Sequence, residues 1–317
     1  MALRRLPRYL SAAPVMALLW GCSSAAVGPA TPAATQAAPQ SWMASDAKRS
    51  ALLYVSDLGN DTVDVYSYPQ GKLKGTLTGF YFVHSGCVDQ HGHVFITNLG
   101  KILEFDRGGS TPIATLQEPG YGAQGCSVDP QTGNLAVANI GQIYSSGTGN
   151  IAIFKHAKGS PKFFADENIF FDYDCAYDNK GNLYVVGSDM HGFFKFAEIP
   201  AGSHSYTNIT LDQYITVPGG VQWDGKHVAV EDQGAGYHGS TVYQVAVSGS
   251  TANVVGTTAL TGSVDIIQFW LYGKKIIGPN IGSNPNVMFW KYPAGGTALK
   301  TITGFVEPVG VTVSPPQ

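Results

Sequence analysis

From about residue 50 to the end, the chain is a succession of short apolar stretches in which β-branched and aromatic residues alternate with small or polar ones. Leu52-Leu53-Tyr54-Val55, Val94-Phe95-Ile96-Thr97 and Val242-Tyr243-Gln244-Val245 are examples, and Gly, Asp and Asn punctuate the gaps between them. Period-two alternation bounded by turn residues is the signature of antiparallel strands, and it excludes a helical solenoid.

The stretches repeat as a unit. Gly125-Cys126-Ser127-Val128-Asp129, followed by Asn134-Leu135-Ala136-Val137-Ala138-Asn139, matches Asp174-Cys175-Ala176-Tyr177-Asp178 with Asn182-Leu183-Tyr184-Val185-Val186. Further copies begin at Gly86-Cys87-Val88-Asp89 and Gly220-Val221-Gln222-Trp223-Asp224, and a weaker one at Gln268-Phe269-Trp270-Leu271-Tyr272. Each then supplies a third strand, such as Ile151-Ala152-Ile153-Phe154, and a fourth after a glycine-bearing turn. The anchors Asp89, Asp129, Asp178, Asp224 and Tyr272 recur at the roughly 40 to 50 residue spacing of a four-stranded propeller blade. Leu52-Leu53-Tyr54-Val55-Ser56-Asp57 resembles a second strand without a first, whereas Pro308-Val309-Gly310-Val311-Thr312-Val313-Ser314 resembles a first strand without the rest. Pairing them completes a sixth blade and removes two open sheet edges. The expectation is an all-β, six-bladed β-propeller over residues 50–317, closed by its C-terminal strand.

The chain ahead of the repeats is of a different kind. Arg4, Arg5 and Arg8 precede an apolar run that ends in Leu19-Trp20-Gly21-Cys22, the order of a secretory signal. Residues 1–21 read as the signal, and the resemblance of the turn to the bacterial lipobox makes Cys22 the lipidated first residue of the mature chain. Residues 22–49 are rich in Ala, Pro, Ser and Thr and read as an unstructured tether. An exported, lipid-anchored envelope protein is expected, sorted to the outer membrane where one exists, monomeric and touching the membrane only through its anchor.

Charge narrows the partners. The formal net charge is -3 with only 13% charged residues, and losing the three signal arginines leaves the mature chain more acidic. No Lys/Arg cluster offers a nucleic-acid face. Cys126 and Cys175 share a register on neighbouring inner strands, with Cys87 at it or one residue off, and the three read as buried thiols packing as small apolar groups, with a disulfide open to them in an oxidising compartment. The second strands end in Asp57, Asn98, Asn139, Asp189, Asp232 and Asn280, a ring that reads as backbone-capping side chains. Gly120-Tyr121-Gly122-Ala123-Gln124-Gly125 matches a dinucleotide glycine pattern but opens a strand, so no helix N-terminus awaits a pyrophosphate.

The units resemble those of the NHL-repeat and gluconolactonase-like six-bladed propellers, with their Gly, apolar strand, Asp-turn-Gly-Asn and Tyr-Val strand. Resemblance to the gluconolactonase-like enzymes implies a divalent cation, calcium or zinc, in the central channel. Glu307, which precedes Pro308 as the family's first acidic ligand precedes a proline, would hold it with Asp174 and Gln268, which stand where other blades have glycine. The family's Arg-Pro-Asn-Gly signature is absent, so a metal-dependent lactonase-like hydrolase is the alternative and not the leading reading. The leading one is a non-catalytic binding or scaffold propeller. The segments leading into the inner strands, which converge around the channel mouth, carry Tyr81, His84, Tyr121, Gln124, Tyr173 and Trp270, as well as Phe80, Phe82, Phe170, Phe171, Tyr214 and Phe269. Aromatics on loops supply stiff contact area with polar tips, suited to a small molecule, a glycan or an envelope protein.

Overall fold

The computed structural model describes residues 40–118, 121–142, 147–234 and 239–316. The signal, Cys22 and most of the tether lie outside the described residues.

Six sheets follow one another along the chain, antiparallel except for two short parallel additions to blade 5. From the inner strand outward, blade 1 consists of Pro308–Ser314, Ala51–Asp57, Thr62–Tyr68, Leu73–Leu77 and Trp42–Met43. Blade 2 spans Gly86–Val88 to Pro112–Gln117, blade 3 Tyr121–Val128 to Lys162–Phe164, and blade 4 Phe171–Tyr177 to Thr207–Asn208. Blade 5 runs from Pro218–Trp223 to Thr251–Thr261 and blade 6 from Trp270–Tyr272 to Lys300–Thr303. The inner strands touch in cyclic order, the last against the first. The protein is a closed six-bladed β-propeller.

Period-two alternation builds the ring. Because successive side chains on a strand point to opposite faces, Leu52 and Tyr54 enter the core shared with blade 2 while Leu53 and Val55 enter the core shared with blade 6. Six such inter-blade cores, one per interface, hold the ring. Each fully buried Leu, Ile, Val or Phe contributes about 1.5–3 kcal/mol relative to exposure. The closure has the expected register, with Val313 opposite Leu53 and Val311 opposite Val55.

Three expectations need correction. The folded part starts before residue 50: Trp42 and Met43 pair with Thr76 and Gly75, and Ala47 is buried in the core of blades 1 and 2. The Arg107 guanidinium donates to the carbonyls of Lys48 and Ser50 at 2.6 and 2.7 Å, tying this segment to blade 2. A lone Trp-Met pair in a polar stretch carried no periodicity to betray it. Second, Cys87 and Cys126 form a disulfide between the inner strands of blades 2 and 3, with Cα atoms 5.6 Å apart, and among the described residues Cys175 is the one free thiol, buried. Third, Asp189 does not belong to the Asx ring. Ser188 ends that strand, and Asp189 accepts the amides of His191 and Phe193 in the turn beyond it, at 2.9 and 3.0 Å.

The anchor aspartates between first and second strands are turn formers. Asp89, Asp129, Asp178 and Asp224 each accept the amide two residues on, at 2.8 to 2.9 Å, the local bond that makes Asx residues favour turns.

Candidate functional site

The segments leading into the inner strands and the turns between second and third strands lie at one end of every blade and form the mouth of the channel. The Asx ring fastens those segments. Asp57 accepts the amides of Val306 and Glu307 at 3.0 and 2.7 Å, Asn98 that of Tyr81 at 2.6 Å, Asp232 those of Thr216 and Val217 at 2.9 and 3.0 Å, and Asn280 that of Val264 at 2.7 Å. These bonds satisfy backbone donors in irregular segments that no strand pairs, and they fix where the mouth residues project. In blade 3 the arrangement changes: the Asn139 side-chain amide donates to Glu118 Oε1 at 2.6 Å and to Asn150 Oδ1 at 2.9 Å. Burial pushes the Glu118 carboxyl up to about 7, against the opposing effect of the Asn139 bond.

Inside the channel, Asp174 is buried and bridges two blades. Its Oδ2 accepts the Val221 amide of blade 5 at 3.0 Å and its Oδ1 the Cys175 amide at 2.9 Å. Burial raises it to about 7 in spite of both bonds. Gly125 on blade 3 makes room for this carboxylate, since a Cβ there would lie 1.9 Å from Asp174 Oδ1. Gln268 also borders the space over Gly220, and its Oε1 is buried without a partner. Sequence reasoning missed Glu231, a fully buried carboxylate on the second strand of blade 5. Its Oε2 accepts the Gly220 amide at 3.0 Å, whereas Oε1 has no partner. Desolvation holds it well above the ordinary carboxylate range, with Asp265, Asp174 and Asp232 adding to the shift. An acid directly after the apolar Val228-Ala229-Val230 run was the available signal.

Glu307 is half-buried beside Gly59 on blade 1. Among the described residues no group of three or more His, Cys, Asp or Glu side chains is arranged to hold a metal ion.

The aromatic candidates divide. Phe80 and Phe269 turn inward into the cores of blades 1–2 and 5–6. Trp270 packs against both the blade 6–1 core and the blade 2–3 core, so it reaches across the channel. His84 is half-buried, its Nδ1 enclosed and unpartnered, and burial lowers its pKa to about 4, which keeps the ring neutral at physiological pH. Gln124 is half-buried, and its carbonyl accepts the Thr97 hydroxyl at 2.8 Å. Tyr121 is half-buried 4.9 Å from the Phe163 ring, and the Tyr173 hydroxyl lies 3.3 Å from Ser188 Oγ. The open surface belongs to others. Tyr81 is 60% exposed and meets Phe82 edge to face at 5.3 Å, and Tyr214 is 71% exposed. Met190 and Phe193, on the blade 4 turn, are 67% and 58% exposed; the sequence suggests Phe193 as the first residue of a third strand, Phe193-Phe194-Lys195-Phe196, but that strand starts at Phe194. Phe193, Phe194 and Tyr214 line a groove of about 550 Å³ between blades 4 and 5 with Asn168 and Asn208.

No family model and no curated protein matches the sequence. Solved structures do. A chain from the crystal structure of a nidogen/laminin complex superposes with a TM-score of 0.66 at 15% identity, over 84% of this chain and 99% of that one. A protein of unknown function from Bacteroides caccae superposes with a TM-score of 0.62 at 14% identity, over the same shares. At such identities the likeness is one of fold alone, and it agrees with the six-bladed propeller described above.

Proposed function

We propose that this is a non-catalytic binding propeller of the cell envelope, exported, lipid-anchored through Cys22, and engaging its partner through the mouth face. The observation that carries the reading is the exposure of Tyr81, Phe82, Met190, Phe193 and Tyr214 on lead-in segments and turns at that one end. Large apolar side chains held out into solvent by fastened loops mark interaction surfaces. The fold is compatible with protein partners, since the chain of similar fold described above comes from a complex of nidogen with laminin.

The test is capture from envelope extracts on the immobilised full chain and on a Tyr81→Ala/Phe193→Ala/Tyr214→Ala variant. Retained melting temperature with loss of the captured species supports the mouth as the binding face. Equal capture by the two proteins contradicts it.

A further inference from the structure

The mouth combines its aromatics with one sign of charge. Asp61, Asp166, Glu167, Asp189, Asp265 and Glu307 stand on the lead-in segments and turns at this end. Lys101 and Lys195 are the basic residues among the described ones there, and Lys195 is engaged by Asp189 at 3.2 Å. Lysines gather at the opposite end, where Lys72, Lys155, Lys158, Lys180, Lys226 and Lys274 occupy the turns. The carboxylates of Asp89, Asp129, Asp178 and Asp224 at that end are tied to backbone amides, as are those of Asp61, Asp166 and Asp189 at the mouth.

A second observation lies below the rim. Gln268 Oε1 is a buried acceptor without a donor. An unpaired buried acceptor calls for a ligand that brings a donor.

We infer that the mouth takes a cationic polypeptide segment, an Arg- or Lys-bearing loop or tail of a partner protein, with the basic side chains set among the rim carboxylates and against the exposed rings. This rests on the mouth being the binding face. Guanidinium and ammonium groups are attracted to aromatic faces as well as to carboxylates, so the two features of the rim select one chemistry. A polypeptide fits better than a small cation because the exposed rings run from Tyr81 on blade 2 to Phe193 on blade 4 and Tyr214 beside blade 5, an arc only an extended partner can follow. The segregated charge also steers such a partner toward this end and away from the lysine end.

The experiment is fluorescence anisotropy of a labelled decapeptide of alternating Arg and Gly with the full chain, with an alternating Glu-Gly decapeptide and spermine as comparisons. The arginine peptide is expected to bind, to weaken several-fold when salt is raised from about 50 to about 200 mM as screening of exposed charges requires, and to outbind spermine. A Glu167→Gln/Asp265→Asn/Glu307→Gln variant is expected to lose about tenfold in affinity at unchanged melting temperature, whereas Lys226→Gln/Lys274→Gln leaves binding intact. Equal binding of the glutamate peptide, or no change in the mouth variant, overturns the inference. Spermine binding as tightly as the peptide would assign a small polyamine in its place. If the arginine peptide fails to bind while the aromatic variant still loses its captured partner, the charge inference falls and the binding face stands.

Discussion

The Asp174 carboxylate of blade 4 occupies the space directly over Gly125 of blade 3, where a methyl group would lie 1.9 Å from Oδ1. From there Asp174 reaches the Val221 amide of blade 5, so one side chain joins three consecutive blades at the channel wall.

Gly125→Ala is expected to destabilise the protein by about 1–3 kcal/mol, the usual cost of forcing extra volume into a packed site. Asp174→Ala in the same chain should recover part of the loss, because the clash and its partner are removed together. Chemical denaturation of the two single variants and the double variant measures the coupling; strict additivity would mean that the two residues do not meet.

Glu118 gives stability a pH dependence of definite sign. Its folded-state pKa of about 7 lies above the ordinary 4.5, so the folded protein holds a proton that the unfolded chain releases. The resulting stabilisation is full below the unfolded value and disappears as pH rises through about 7, at a slope of up to about 1.4 kcal/mol per pH unit between the two. His84, lowered to about 4, acts in the opposite sense between its two values, but equally in parent and variant. Melting curves from pH 5 to 8 should therefore fall less steeply for Glu118→Gln than for the parent, and parallel curves would refute the assignment.

The Cys87–Cys126 bridge closes a loop with a sequence separation of 39 between two inner strands. Cys87→Ser/Cys126→Ser should lose about 2–4 kcal/mol, the range usual for a native disulfide. Cys175→Ser should not alter the response to reductant, since that thiol is unpaired. A melting temperature that reductant leaves unchanged in the parent would argue against the bridge.

Closure by Pro308–Ser314 predicts a sharp difference between two truncations. Removing residues 315–317 should leave the melting temperature close to the parent's, while removing 308–317 strips the inner strand from blade 1 and opens the ring, exposing unpaired edges. The longer truncation is expected to aggregate or to melt far lower, and equal melting of the two would contradict the closure.

Most of the fold was legible because the propeller writes it into the chain repeatedly: strand alternation, Asp turns and the half-blades at the two ends all point to one architecture. The Asx ring was legible as structure, and Asp57, Asn98, Asp232 and Asn280 do cap backbone amides, though those of the lead-in segments. What a lead-in aromatic does was not legible. Phe80 and Tyr81 are neighbours in sequence, yet one enters the core of blades 1 and 2 and the other stands in solvent, because loop direction is set by tertiary bonds that no periodicity records. The Cys87–Cys126 pairing was equally hidden: a shared register on adjacent blades is compatible with free thiols, and only the approach of the two inner strands decides. Glu231 escaped notice because it stands next to Asp232, the strand-end residue that the Asx ring accounts for, although every residue of that second strand is buried.

The most direct test of the mouth as the binding face is oxidative footprinting of the full chain, free and bound to its captured partner, read by mass spectrometry. The account predicts protection at Tyr81, Phe82, Met190, Phe193 and Tyr214, all exposed in the free protein, with His91 and His204 in the turns at the opposite end oxidised as before. Protection of those turns with unchanged labelling of Met190 and Tyr214 would contradict it.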